Sequence, residues 1–263
     1  NNNRHIQGSY RKSKSSVCKM TDPKPIVPVN PAGLDEVAKS LLEGDTNPPP
    51  SASPGGSNIR NAENYIILPG KAHGSYSYPD LVVAVEKTYM STNWNQAHEA
   101  LHKENAFMLT PRQYIDFLQM LKSGTVYNGR GTRLASGKVD EILDEILTKR
   151  EPWRAEWLDA YFKDVNGGLN ISYDHRIVNG QLKPQRTEPL ENCVMEDAYV
   201  NLFSANRQGL PNSKTRTQET YFWHPKDGRV ARFWAGSVGV VLLADRGPAY
   251  SNSSLGVRAA RRK

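Results

Sequence analysis

Residues 231–263 read ARFWAGSVGVVLLADRGPAYSNSSLGVRAARRK, and the fold turns on how this stretch is interpreted. It closes with a strand-like segment, Ser254-Leu-Gly-Val-Arg-Ala-Ala, and the basic tail Arg261-Arg262-Lys263. Upstream, Trp234, Gly236, Val238, Val241, Leu243, Asp245, Gly247 and Tyr250 alternate roughly with small or apolar residues. Alternation is the mark of extended structure with two faces. One of these faces has no common character, mixing aromatic, aliphatic, acidic and glycine positions. The rest of the chain is therefore expected to be a scaffold that presents this irregular face.

Working outward, the segment before it is also extended. Residues 156–165 and 169–173 flank Asn166-Gly167-Gly168, a hairpin signal, and Asn179-Gly180 makes another. Tyr221-Phe-Trp-His-Pro and Arg229-Val-Ala-Arg-Phe flank Lys226-Asp227-Gly228, which predicts a further hairpin. Residues 204–220 are polar and loop-like. Helices come earlier. Residues 92–101 place Trp94, Ala97 and Leu101 on one face. A second helix has a clear start: Thr110 as N-cap, Pro111 at the first helical position and Gln113 to complete a capping box. Tyr114, Phe117, Leu118 and Leu121 form its apolar face, and Gly124 stops it. A third helix, residues 138–149, turns Val139, Ile142, Leu143, Ile146 and Leu147 inward and Asp140, Glu141, Asp144 and Glu145 to solvent. Asn64-Tyr-Ile-Ile-Leu predicts a strand, and residues 78–87 a buried strand or short helix. Strand, helices, then many short strands and long loops define an α+β domain with segregated elements.

Residues 1–60 differ in kind. They are poor in apolar residues and contain the linker-like Pro48-Pro-Pro-Ser-Ala-Ser-Pro-Gly-Gly-Ser. Apart from one short amphipathic helix expected at 34–43, they bury too little surface to offset chain entropy and are expected to be disordered. The folded domain is then 61–263.

Of the 263 residues, 38% are hydrophobic, enough for a substantial core, and the formal net charge is +7. Much of the excess lies in the amino-terminal segment and the last three residues rather than in one aromatic-laced patch, which disfavours nucleic acid as the partner. The two cysteines, Cys18 and Cys193, form no metal-binding spacing and exclude a disulfide framework. No apolar run is long enough to span a membrane. The start, Asn1-Asn-Asn-Arg-His, shows no apolar signal core and is compatible with a processed end. Virion, cell surface and cytoplasm all stay open as locations.

One motif invites an enzymatic interpretation. His98-Glu99-Ala100-Leu101-His102 matches HExxH, in which two histidines one helical turn apart hold zinc and the glutamate acts as general base. A zincin needs a third ligand. In the extended motif Asn105 stands where the glycine belongs and Met108 where the third histidine belongs. A zinc metallohydrolase using His98 and His102 is therefore the alternative, not the preferred expectation. His175 and His224 are isolated and expected to be structural.

Two segments carry a family resemblance. Trp94-Asn-Gln-Ala-His-Glu-Ala-Leu-His-Lys-Glu-Asn-Ala-Phe-Met-Leu-Thr-Pro-Arg-Gln-Tyr-Ile-Asp-Phe-Leu resembles the first half of a C-type lectin-like domain of the formylglycine-generating-enzyme type. Ala231-Arg-Phe-Trp-Ala-Gly-Ser and Arg246-Gly-Pro-Ala-Tyr-Ser-Asn-Ser-Ser-Leu-Gly-Val-Arg resemble the variable region of proteins diversified by diversity-generating retroelements, which share that fold.

The resemblance implies a C-type lectin-like fold of two to three helices with short antiparallel strands and long loops. It implies a binding protein, not an enzyme, with a variable region at about 231–258 rewritten by an error-prone reverse transcriptase. Its ligand would be macromolecular, a protein or cell-surface component, bound without a cofactor. The displayed residues would be Trp234, Gly236, Val238, Val241, Leu243, Asp245, Gly247, Tyr250 and Ser253. Ala231, Phe233, Ala235, Leu242, Ala244, Pro248, Ser251, Leu255, Gly256 and Arg258 would be scaffold. No calcium-dependent sugar triad and no formylglycine-generating cysteine pattern is present, so neither activity carries over. The closing Leu255-Gly-Val-Arg segment is expected to pair with the strand at Tyr65.

Overall fold

The computed structural model describes residues 61–217, 220–236 and 239–263. The expected helix at 34–43, the proline-rich linker, Cys18 and Val238 lie outside the described residues. Four strands open the domain: β1 (Tyr65–Leu68), β2 (Lys71–His73), β3 (Tyr76–Tyr78) and β4 (Leu81–Thr88). Helix α1 (Trp94–Lys103), the short β5 (Phe107–Met108), helix α2 (Pro111–Ser123) and helix α3 (Ser136–Leu147) follow. The remainder is extended: β6 (Arg154–Val165), β7 (Gly168–Tyr173), β8 (Arg176–Val178), β9 (Gln181–Lys183), β10 (Arg186–Pro189), β11 (Ala198–Val200), β12 (Thr220–Trp223), β13 (Arg229–Gly236), β14 (Gly239–Arg246) and β15 (Leu255–Arg262). The domain is α+β, and no helix among the described residues is long and apolar enough to cross a membrane.

Local chemistry sets the element ends. Asn93 caps α1 by accepting from the Gln96 amide, and the Gln96 side chain reaches back to the Asn93 amide. Thr110 and Gln113 repeat the arrangement at α2, with Pro111 in the first turn. Gly124 ends α2 at φ 71°, a left-handed conformation that favours glycine. Asn166-Gly167 and Asn179-Gly180 take positive φ at both positions and join β6 to β7 and β8 to β9.

An eleven-stranded sheet runs in the order β1-β4-β15-β6-β13-β14-β12-β11, with β7 and β10 extending from β6, and β5 beside β15. Two expectations are corrected here. The closing strand β15 does not pair with β1. It pairs antiparallel with β4, and β4 carries β1 on its other edge. The segments flanking Lys226-Asp227-Gly228 do not form a hairpin. Strand β13 has both edges occupied, by β6 and β14, so β12 pairs instead with β14, in parallel.

The sheet is buried on both faces over much of its width, which is why residues 231–246 show no clean hydrophobic period. On one face, Phe233, Leu242, Phe222, Leu158 and Phe162 pack with Tyr114, Phe117, Leu118 and Leu121 of α2 and with Val139, Ile142 and Ile146 of α3. On the other, Ala155, Trp157, Leu255 and Val257 pack with Trp94, Ala97 and Leu101 of α1.

A buried ion pair ties the closing strand into this frame. Arg258 Nε donates to Glu156 Oε2 at 3.0 Å, and its Nη1 donates to the carbonyls of Ala84, at 3.0 Å, and Val85. The Tyr114 hydroxyl donates to Glu156 Oε1 at 2.7 Å. Burial alone would push the Glu156 carboxyl up. The Arg258 guanidinium, together with the Lys87 charge and the Tyr114 hydroxyl, more than offsets this and holds it below the usual carboxylate value.

Candidate functional site

The face covered by α1 continues past β6 across β13, β14 and β12. The register places its side chains. Across the ladder, Val241 lies between Trp234 and Tyr221, and Leu243 lies between Arg232 and Trp223. Tyr199 of β11 sits opposite Tyr221, with its ring edge-on at 5.0 Å between centroids. Trp153 stands 6.4 Å from Trp234, centroid to centroid. Trp223 is 39% exposed, and Tyr199, Tyr221, Trp234 and Tyr250 are half-buried. An aromatic surface thus emerges from beneath α1 and opens to solvent at the β12 end.

At its centre the loop after β14 folds back. The Tyr250 ring is flanked by the guanidinium groups of Arg232, at 5.5 Å, and Arg246, at 5.1 Å, and meets Trp157 edge-on. Arg232 is buried and pairs with Asp245 at 3.2 Å. Burial pushes the Arg232 guanidinium below its usual value, partly offset by Asp245. Beside the loop, Ser253 lines a cleft of about 610 Å³ with Trp153, Lys87, Met90 and Glu145. Side chains that bury large area at low entropic cost, placed beside charged groups, are the usual makings of a protein-contact surface.

The expected displayed residues divide. Ser253 is exposed, and Trp234, Gly247 and Tyr250 are half-buried on or beside the open face; the Asp245 side chain, 7% exposed, is instead committed to its ion pair with Arg232. Val241 and Leu243 are corrected: at 3% and 5% exposure they lie within the face rather than standing out from it. Strand β14 has a neighbour on each edge, and their cross-strand partners are larger than they are. Gly236 is also buried. A Cβ there would come within 2.2 Å of the Trp234 indole, so this glycine leaves room for the ring to lie over it. Trp153, Tyr199, Tyr221 and Trp223 were not singled out by their sequence pattern. The Tyr221/Trp223 alternation is their only signal, and the parallel pairing that brings it alongside Val241 and Leu243 carries none.

The HExxH histidines do not come together. His102 and Glu99 are exposed on α1, whereas His98 is 3% exposed and faces the sheet. There it meets Asp159 of β6 and His175, which follows β7. His98 Nε2 lies 3.6 Å from Asp159 Oδ1, and His175 Nδ1 lies 2.5 Å from the same oxygen. The His175 backbone amide donates to Asp159 Oδ2 at 2.8 Å. The Trp94 ring packs edge-on against both imidazoles, fixed by its indole N–H to the Leu158 carbonyl at 3.0 Å. Burial pulls His98 down to about 4, so its ring is neutral at neutral pH. His224, on the surface, pairs with Asp197 at 2.6 Å. Cys193 is buried, and burial pushes its thiol up to about 11.

Fold and site together define an α+β domain that offers an open aromatic sheet face. No protein-family model, curated protein or solved structure matches the chain.

Proposed function

We propose that this chain is a ligand-binding protein of the C-type lectin-like type, whose carboxy-terminal region is diversified by a retroelement reverse transcriptase. Its contact surface is the open face of β12, β13 and β14 with the loop after β14. Trp223, Trp234, Tyr250 and Ser253 meet the ligand, a protein or cell-surface component. The observation that carries this reading is the exposed aromatic face laid over a buried ladder, in which Trp234 and Tyr250 come from the segment that resembles a variable region. The division of labour supports it. Of the expected scaffold set, Ala231, Phe233, Ala235, Leu242, Ala244, Leu255, Gly256 and Arg258 are buried, whereas Pro248 is half-buried and Ser251 exposed, so change at the face need not disturb the buried members.

The test is to sequence the codons for residues 231–258 from many copies of the gene in its source population, together with the flanking DNA. Substitutions should concentrate at Trp234, Gly247, Tyr250 and Ser253, stay apolar at Val241 and Leu243, and spare Asp245, which pairs with the buried Arg232. A near-copy of the same stretch, differing at template adenines, should lie nearby. Uniform variation across the stretch with no near-copy would overturn the proposal.

A further inference from the structure

The cluster of His98, Asp159 and His175 has no role in the aromatic face, and its composition is hard to explain as packing. Asp159 is 1% exposed. Among the described residues no lysine or arginine pairs with it; its ion-pair partners are the two histidines. A buried carboxylate without a compensating cation is costly. Among the described residues His98 Nε2 has no hydrogen-bond partner, since 3.6 Å to Asp159 Oδ1 is too long, and it is aimed into the cluster. So the site holds an anionic oxygen lacking a fixed counter-charge and a neutral imidazole nitrogen lacking a partner. One species satisfies both.

We propose that His98 Nε2, His175 Nδ1 and Asp159 Oδ1 bind a divalent first-row transition metal ion of the zinc class. The three donor atoms all lie within 4.8 Å of one another. Zinc bonds of about 2.0–2.2 Å to nitrogen and oxygen in tetrahedral geometry put donors roughly 3.3 Å apart. The His98–Asp159 separation of 3.6 Å is already close to that. The His175–Asp159 contact at 2.5 Å must lengthen, exchanging a hydrogen bond for two metal bonds, with the single proton of the neutral imidazole carried on Nε2 so that Nδ1 is free to ligate. Two imidazoles and one carboxylate are a donor set that suits zinc and iron(II) better than calcium or magnesium.

The surroundings fit the same role. The His175 amide on Asp159 Oδ2 orients the carboxylate, and the Trp94 ring holds both imidazoles, as supports behind metal ligands do. Access exists on two sides. His98 and His175 line a cavity of about 400 Å³ with Leu182 and Val178, and Asp159 and His175 line a second of about 420 Å³. Either leaves room for a water as the fourth ligand. Because the ligands come from α1, β6 and the turn after β7, the ion would fasten the helix to the sheet.

The experiment uses the full chain, stripped with chelator and titrated with zinc chloride by calorimetry. Histidine imidazole resonances are followed by NMR in the same samples. One equivalent should bind, the thermal midpoint should rise, and the His98 and His175 resonances should shift while those of His102 and His224 do not. His102→Ala should keep the equivalent; His98→Gln and His175→Gln should each lose it. The NMR readout on the wild-type chain decides the matter if a variant fails to fold. Less than one equivalent bound, or binding that leaves the His98 and His175 resonances unmoved, overturns the proposal.

Discussion

At the scale of single residues, the domain rests on a few charged groups placed where burial makes them matter. Glu156 and Arg258 are both almost wholly buried, and each is the other's only charged partner within bonding distance among the described residues. Removing one leaves the other uncompensated. Arg258→Met should therefore destabilise the domain by about 3–5 kcal/mol in urea unfolding, and adding Glu156→Gln should recover part of that loss. If the double variant is no more stable than the single one, the pair is not coupled. Asp116 is the second such group. It accepts from the Tyr78 hydroxyl at 2.6 Å and the Arg112 guanidinium at 2.9 Å, with His73 Nε2 at 2.7 Å and Lys71 Nζ at 3.3 Å. Burial opposes its ionisation, but these partners more than offset burial and hold the carboxyl below its usual value. A carboxyl lowered by folding stabilises fully above the ordinary carboxylate value and loses that contribution as pH falls through its folded value. Wild-type stability should thus drop on acidification below about pH 4. Asp116→Asn should start lower and fall less steeply. Parallel urea midpoints against pH for the two proteins would contradict this. Neither group announces itself in the chain. Glu156 and Asp116 look like ordinary strand and helix carboxylates, and only tertiary placement makes them central.

At the scale of elements, what was legible in the sequence is what short-range chemistry decides. Thr110-Pro-Arg-Gln announced α2, and both cap hydrogen bonds are present, at 3.3 Å to Thr110 Oγ1 and 3.0 Å to Gln113 Oε1. Thr110→Ala should cost about 1 kcal/mol by losing the first of these bonds. The hydroxyl contact of Thr110 with Tyr76 at 2.9 Å adds to that loss, so a measured change of only a few tenths would mean that the helix end is satisfied some other way. The Asn-Gly turns were likewise readable, because positive φ at both positions leaves few alternatives. Strand order was not. The hairpin expected around Lys226-Asp227-Gly228 met the turn requirement, yet β13 found better edges in β6 and β14. Pairing between distant strands depends on which edges remain free, and no local residue records that. The helix face of α1 shows the same limit. Trp94, Ala97 and Leu101 were placed inward by period alone. His98 shares their buried face, and Asp159 and His175, its partners there, lie far along the chain.

At the scale of the whole molecule, the domain is a two-sided sheet with unequal covers. Helices α2 and α3 close one face. Helix α1 closes only part of the other, and the uncovered part carries Trp223, Trp234, Tyr221 and Tyr250. Val241 and Leu243 belong to the covered ladder even though their alternation marked them for display, because hydrophobic periodicity cannot tell an open face from one roofed by its own neighbours. The central claim is that the face and the frame are separable. The direct measurement is the protease resistance of every single substitution from residue 220 to 258 in the full chain, except at positions 237 and 238. Polar replacements at Trp223, Trp234, Tyr250 and Ser253 should each cost no more than about 1 kcal/mol. Those at Phe233, Leu242, Val241, Leu255 and Arg258 should cost more than about 2 kcal/mol. Equal losses at both sets would mean that the aromatic surface is part of the core, and the account of a tolerant binding face on a fixed frame would fail.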